Sequence, residues 1–394
     1  MYWLHGTIFL LGTTNLYGLA QSGQGFGASS SQKQQRKRIS SSTSKSSYDV
    51  ENSESLSRLT HWLLDMECEG LGSEAAIEIG RNRNTGIRGV FAKEDLKAGE
   101  YLVAIPFPAA LVVVENEQVE IDNDNGEENN NNSNDMTTRI ITDAERGFEL
   151  WKKYLNPRKS TTSSVTTAMD IPWSPYLDML PKQSGSLDFD PTPDFWSVEE
   201  IAQLEFPRIV TEAIRRKKLV EEMAFKTGIP CEDLQFATWI AKSRCFSLLR
   251  SKGCGSVTTN KSVLIPFLDM INHSSCHSNV ELRLVESHVE EESFYTILTT
   301  KPITAGSEIF LSYGTNIDSS IELLLNYGIV EVTNRNDVAM LQKGGLDCWN
   351  RMEDWSTTLK DDEKAIQEAK ETNLRTALAF RIRMKRAIQD MNKI

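Results

Sequence analysis

Leu264-Ile-Pro-Phe-Leu-Asp-Met-Ile-Asn-His-Ser274 is an apolar run that stops abruptly at Asp269, Asn272, His273 and Ser274. Ile309-Phe-Leu-Ser-Tyr-Gly314 is a shorter one that stops at Tyr313. Apolar strands that end in polar side chains are where a rigid scaffold presents chemistry. Both read as strands with their functional residues at the end. Further strand-like runs surround them at Gly89–Ala92, Tyr101–Ile105, Ala110–Val114, Val280–Val285 and Phe294–Thr299, broken by Gly99 and by the prolines Pro106 and Pro108. Asp95-Leu-Lys-Ala-Gly-Glu100 is echoed by Pro302-Ile-Thr-Ala-Gly-Ser-Glu308, and each reads as a tight turn in which Gly99 or Gly306 supplies a positive φ.

Helical patterns lie outside these strands. Leu56, Leu59, Trp62, Leu63 and Met66 recur at helical spacing behind a serine-rich start. Thr142 is placed to cap a helix, and Ser197-Val-Glu-Glu200 has the form of a capping box. The run from Pro207 to Phe225 stops at Gly228-Ile-Pro230, a Gly-then-Pro ending, and Leu234–Leu249 reads as another helix. From Asp361 the chain is helical to its end, with Arg375, Arg381, Arg383, Lys385 and Arg386 read as a solvated basic face. The order is strands, a helical insert at about 140–250, strands, then terminal helices. That is an α+β class, without the βαβ alternation of a doubly wound sheet or the fixed period of a solenoid.

Composition narrows the function. The 394 residues carry a net charge of −12, which disfavours nucleic acid and anionic membranes and suits a basic protein substrate. The balance is uneven, because the first 50 residues hold Lys33, Arg36, Lys37, Arg38 and Lys45 against Asp49 alone. Residues 1–20 are apolar and uncharged like a signal segment, too short and interrupted for a stable membrane span. Residues 21–55 read as a disordered, basic, serine-rich leader, and the two together suit a two-part plastid address, with cytoplasm or nucleus as the alternative. Against passage through a glycosylating compartment, Asn272-His273-Ser274 is itself an Asn-x-Ser sequon. Residues 115–135, acid and asparagine, read as a disordered loop.

The six cysteines form no C-x-x-C pair and suggest neither zinc nor a disulfide framework. His273, Cys276 and His277 with Cys254 match no common metal spacing, so no metal is expected. P-loop, G-x-S-x-G, H-E-x-x-H and G-x-G-x-x-G motifs do not occur. Taken singly, each remaining candidate has a bland explanation. Gly86-Ile-Arg-Gly89 makes a turn, Asn272-His273 closes a strand, and Tyr313 packs with its hydroxyl satisfied.

Taken together and in order, the motifs resemble the SET-domain methyltransferases, in the branch of the plant Rubisco large-subunit lysine methyltransferase and the actin-histidine methyltransferase. The matching pieces are Arg88–Ala92 with Leu96–Glu100, Trp173–Pro181, Ile265–Ser274, Ile303–Gly314 and Ile321–Glu331. The resemblance implies a SET domain over residues 56–335, made of several small sheets with a knot-like crossing and a helical insert. A shortened substrate-binding-like helical region would follow at 336–394. It implies an S-adenosylmethionine-dependent protein methyltransferase, most simply a monomer, acting on lysine. A histidine acceptor, or a non-catalytic binding module, is the alternative. Gly86, Arg88, Gly89, Arg244, Asp269, Asn272 and His273 would hold the cofactor, Arg244 facing its carboxylate and Asn272 and His273 anchoring amine and adenine. Tyr313 would be the catalytic tyrosine and Tyr327 would line the acceptor channel. Two departures stand out: Ile87 occupies the first position of the family's Gly-x-Gly loop, with Gly86 beside it, and the cysteine clusters of many histone-modifying relatives are absent.

Overall fold

The computed structural model describes residues 8–9, 13–15, 47–119, 142–156, 173–181, 192–252, 257–287, 293–313, 319–343 and 354–393. Its strands are β1 (Ile8–Phe9), β2 (Thr13–Asn15), β3 (Tyr48–Val50), β4 (Ile77–Asn82), β5 (Arg88–Ala92), β6 (Tyr101–Pro106), β7 (Leu111–Val119), β8 (Phe246–Lys252), β9 (Val257–Leu264), β10 (Asn272–His273), β11 (Val280–Glu286), β12 (Phe294–Thr299) and β13 (Glu308–Leu311). They form two sheets. The smaller has the order β1-β8-β9-β7, and the larger runs β3-β4-β5-β13-β11-β12-β6, with β10 on β13 and β2 on β11.

The turns follow the sequence closely. Gly86 (φ 71°) closes the β4–β5 hairpin, donating its N–H to the Asn82 carbonyl at 2.8 Å. Gly99 (φ 83°) and Gly306 (φ 79°) close the two echoed turns, which meet where Leu96 and Ile303 exchange backbone hydrogen bonds at 2.8 and 3.0 Å. The positive φ required at both is one that only glycine adopts without cost.

The helices are α1 (Glu54–Asp65), α2 (Asp143–Leu150), α3 (Ser174–Leu177), α4 (Val198–Ala202), α5 (Pro207–Thr227), α6 (Cys231–Arg244), α7 (Ser320–Tyr327), α8 (Asn336–Lys343), α9 (Leu359–Glu368) and α10 (Thr372–Met391). Thr142 and Ser197 each make a full capping box, and α5 ends at Gly228 in the left-handed conformation. Helix α1 buries Leu59 and Leu63 against the sheets, as its spacing predicts. A second apolar core joins the insert to the C-terminal helices, packing Trp196, Phe206 and Ile209 with Leu324, Phe380 and Met384. No helix among the described residues is long and apolar enough to cross a membrane.

Four expectations are corrected. Order begins before residue 56: β3 pairs with Gly80–Asn82, and the buried Tyr48 ring stacks on Phe91 at 4.1 Å. The rest of the leader, 21–46, lies outside the described residues. The acidic stretch does not start as a loop, because Glu115–Val119 continue β7 and pair with Val257–Lys261. Residues 120–135 are outside the described set. The helix expected over 234–249 stops at Arg244. Cys245 is extended and Phe246 onward pairs with β9, so sheet formation overrides helical spacing. The last correction concerns the basic face of α10. Arg381 (3% exposed), Arg383 and Lys385 (0%) are buried. They pair with acids from neighbouring segments: Arg381 with Asp362 and Glu205, Lys385 with Asp362, and Arg383 with Asp337. Arg386 keeps an exposed pair with Glu363, as a solvated face would.

Candidate active site

Leu264–Ser274, expected as a strand, instead leaves β9 at Leu264 through a sharp corner and returns to a strand only at Asn272–His273. Phe267 adopts φ 72°, ψ −46°, a strained conformation for a bulky side chain, and a single 3-10 turn (Leu268–Met270) follows. Strain of about 1–3 kcal/mol persists only where the surroundings hold it, typically at functional sites. The corner buries Asp269 beneath the end of α6. There Arg244 Nη1 donates to the Asp269 carbonyl at 3.1 Å and meets its Oδ2 at 3.2 Å. The same Oδ2 accepts from the Tyr176 hydroxyl at 2.9 Å. Burial raises the Tyr176 pKa, so the phenol remains a donor. Two buried polar atoms of this cluster, Arg244 Nε and Asp269 Oδ1, have no partner within the protein.

β10 then runs parallel to β13, pairing Asn272 with Phe310 and His273 with Leu311. Asn272 Nδ2 donates to the Arg88 carbonyl at 2.8 Å and to Glu308 Oε1 at 2.7 Å. The carbonyl can only accept, so it fixes the amide's orientation and leaves Asn272 Oδ1 as an acceptor for a ligand. Gly89 is required by this approach: a Cβ there would lie 2.5 Å from Glu308 Oε1 and 2.9 Å from Asn272 Nδ2.

Tyr313 follows β13. Its hydroxyl donates to the Ile271 carbonyl at 2.6 Å, and its ring lies 4.9 Å from that of Tyr327, tilted by 53°. Burial pushes the Tyr313 phenol well above its ordinary value, with Asp269 and Glu308 adding to the effect and Arg244 opposing it. It is therefore a neutral donor at physiological pH.

Arg88, Arg244, Asp269, Asn272, Tyr313 and Tyr327 line one cavity of about 100 Å³, completed by Ile87, Trp239, Ser243, Met270 and Ile329. Six of the nine residues singled out in the sequence thus meet at one place. Gly86 and Gly89 shape the β4–β5 turn and the close approach behind it. His273 is not part of the wall. Its ring is buried behind the cavity, where Nδ1 accepts the Tyr313 backbone N–H at 2.9 Å. Gly314 lies outside the described residues.

The sequence reading missed Tyr176, Glu308 and Glu331. Tyr176 sits in the Trp173–Pro181 motif, and its local signal was a proline-initiated turn with an aromatic residue. Glu308 closes the Pro302–Glu308 motif and reads as the end of its turn. Glu331 closed the Ile321–Glu331 motif, with nothing in its neighbours to mark it.

The chain belongs to the SET domain family, whose model matches residues 87–314. Over 176 residues it is 28% identical to the [fructose-bisphosphate aldolase]-lysine N-methyltransferase, chloroplastic, of Arabidopsis thaliana, covering 40% of this chain and 33% of that protein. Over 195 residues it is 26% identical to the tobacco (Nicotiana tabacum) ribulose-1,5 bisphosphate carboxylase/oxygenase large subunit N-methyltransferase, chloroplastic, covering 44% and 36%. The chain thus spans about a third of the length of these chloroplast proteins. Over 315 residues it is 25% identical to N-lysine methyltransferase setd6 of Xenopus laevis, covering 72% and 60%. Among solved structures, the SET domain of LSMT bound to lysine and AdoHcy superposes with a TM-score of 0.58 at 15% identity, covering 86% of this chain and 90% of that one. Rubisco LSMT bound to AdoMet gives 0.52 at 15%, covering 87% and 91%. At that identity the likeness is one of fold, and the α+β SET architecture agrees with it.

Proposed function

We propose that this SET domain is an S-adenosylmethionine-dependent protein methyltransferase whose acceptor is a lysine Nε. The observation that carries the reading is one cavity walled by Arg244, Asp269 and Asn272 beside the tilted Tyr313–Tyr327 pair, with Arg244 Nε and Asp269 Oδ1 buried and unpartnered in that wall. The first half of that arrangement fits an amino-acid head group. Arg244 Nε–H is a charged donor for a carboxylate, and Asp269 Oδ1 and Asn272 Oδ1 are acceptors for an ammonium. The lysine N-methyltransferase names of the relatives and the AdoMet and AdoHcy complexes of the structural neighbours support the same assignment.

S-adenosylmethionine, when bound, supplies an electrophilic methyl group on a positive sulfur. The remaining chemistry belongs to the chain. Free lysine has a pKa of about 10.4, so its amine must be held neutral to act as a nucleophile. Two tyrosine rings in a buried mouth disfavour the ammonium form by desolvation. Tyr313, neutral and tied to the Ile271 carbonyl, orients the acceptor without removing a proton. The helices within residues 336–394 are read as a substrate-binding region. A plastid address is favoured by the basic serine-rich leader and by the chloroplast relatives.

The test is transfer of a tritiated methyl from S-adenosylmethionine, by the purified full chain, into fractionated plastid and soluble extracts, followed by mass spectrometry. Label on lysine Nε is expected. Label on imidazole would assign a histidine acceptor. Cofactor binding with no transfer to any fraction would leave a binding module.

A further inference from the structure

The His273 ring is set apart from the cavity but is hydrogen-bonded at both nitrogens. Nδ1 lies 2.9 Å from the Tyr313 backbone nitrogen, and Nε2 lies 2.9 Å from Ser275 Oγ. Glu331 Oε1 is 3.7 Å from the same Nε2 and accepts the Ser275 backbone N–H at 2.9 Å. The other oxygen, Glu331 Oε2, is buried with no partner. Only one protonation state satisfies this arrangement. A backbone N–H can only donate, so Nδ1 must present its lone pair. The single ring proton of a neutral imidazole then sits on Nε2, facing Ser275 Oγ and the Glu331 carboxylate.

We infer that Glu331, Ser275 and His273 form a positioning relay that fixes the Tyr313 backbone from behind the cavity. The residue that the family resemblance would place on the cofactor thus acts through the tyrosine. The inference rests on the proposed methyltransferase reading for what Tyr313 does, but the tautomer itself does not depend on it. Tyr313 is tied at two points, its N–H to His273 and its hydroxyl to the Ile271 carbonyl, so both its backbone and the far end of its ring are held. Protonation of His273 would set an Nδ1–H against the Tyr313 N–H, donor against donor, and release the first tie. Burial lowers the His273 pKa while Glu331 opposes it, so the neutral ring persists at neutral pH and the relay weakens only on acidification. The groups facing the ring are Glu331 and Ser275 at Nε2 and Tyr313 at Nδ1, with the Tyr313 ring centroid 5.1 Å away.

Two measurements test the relay. The first is the imidazole nitrogen spectrum of the full chain labelled at histidine, with His273→Asn used to assign its signals. A protonated Nε2 and a bare Nδ1 at neutral pH are expected; a protonated Nδ1 would overturn the relay. The second compares His273→Asn, whose Oδ1 stands where Nδ1 stood, with His273→Leu. The asparagine variant should keep methyl transfer to extract within about threefold, while the leucine variant loses about tenfold or more, the worth of one hydrogen bond. Both should bind S-adenosylhomocysteine as the unmodified chain does. Below about pH 6.5, the ordinary histidine range, transfer by the unmodified chain should fall more steeply than transfer by the asparagine variant. Parallel loss of S-adenosylhomocysteine affinity in both variants would make His273 a ligand anchor and overturn the relay. If the unmodified chain neither binds S-adenosylhomocysteine nor transfers label, the methyltransferase reading fails, while the nitrogen spectrum still decides the tautomer.

Discussion

Arg244 and Asp269 touch twice, through the carbonyl at 3.1 Å and the carboxylate at 3.2 Å, yet each keeps one buried polar atom without a partner. A satisfied structural ion pair would use those atoms, because a buried unpaired donor or acceptor costs about 1–3 kcal/mol. Under the proposed reading, the carboxylate and ammonium of the cofactor supply those two partners. Arg244→Ala should weaken S-adenosylhomocysteine binding by about 10- to 100-fold, the range of one charge-assisted hydrogen bond of about 1.5–3 kcal/mol. Calorimetry on the folded variant checks this, and unchanged affinity would remove Arg244 from the site.

Tyr313→Phe separates binding from turnover. The variant loses the hydroxyl that donates to the Ile271 carbonyl but keeps the ring against Tyr327. Cofactor affinity should stay within about threefold while label transfer falls about 100-fold, the usual cost of one oriented polar group in a reacting centre. The pH profile adds a second check. Because burial holds the Tyr313 phenol above its usual range, its ionisation contributes no alkaline limb. Transfer should rise with pH as the acceptor amine loses its proton and show no downturn up to about pH 9.5. A fall between about 8 and 9.5 that disappears in Tyr313→Phe would contradict the neutral-donor role.

How much of this could be read in the sequence depended on how local the signal was. Gly86, Gly99 and Gly306 announced their turns because a positive φ is a property of one residue, and Thr142 and Ser197 announced their helices because a cap is settled within four. Arg244 and Asp269 were legible only through the family resemblance, which carries pairings that no local rule supplies. Tyr176 was missed as their third member because its partner lies 93 positions away. The same limit hid the burial of Arg381 and Lys385. Helical spacing puts them on one face of α10, but it cannot say that Asp362 and Glu205 come to meet that face. Phe246 shows the opposite failure, where a good helical pattern lost to a strand partner.

Gly89 sits where β5 passes under Asn272. A Cβ would come within 2.5 Å of Glu308 Oε1 and 2.9 Å of Asn272 Nδ2, so Gly89→Ala must push the Asn272–Glu308 pair aside. Overpacking of this kind costs about 1–3 kcal/mol. A loss of stability in that range by denaturant titration, together with weaker S-adenosylhomocysteine binding, is the expected outcome. A variant that folds with full affinity would show that Asn272 does not depend on Glu308 for its placement.

Asp362 is the acid on which the C-terminal helix relies. It lies 2.6 Å from Arg381 Nη2 through one oxygen and 2.6 Å from Lys385 Nζ through the other, and it also accepts from Thr357 Oγ1 at 2.6 Å. All three charged groups are almost wholly buried, so removing the acid leaves cations that water cannot reach. Breaking a buried pair from one side typically costs about 3–5 kcal/mol, far more than the pair contributes net. Asp362→Asn should therefore destabilise the fold by about that amount, moderated where Arg381 retains Glu205. Lys393→Ala, which breaks the exposed Lys393–Asp390 pair on the same helix end, should leave stability unchanged. Denaturant unfolding of the two variants side by side distinguishes a buried brace from a solvated face, and equal effects would restore the solvated reading of α10.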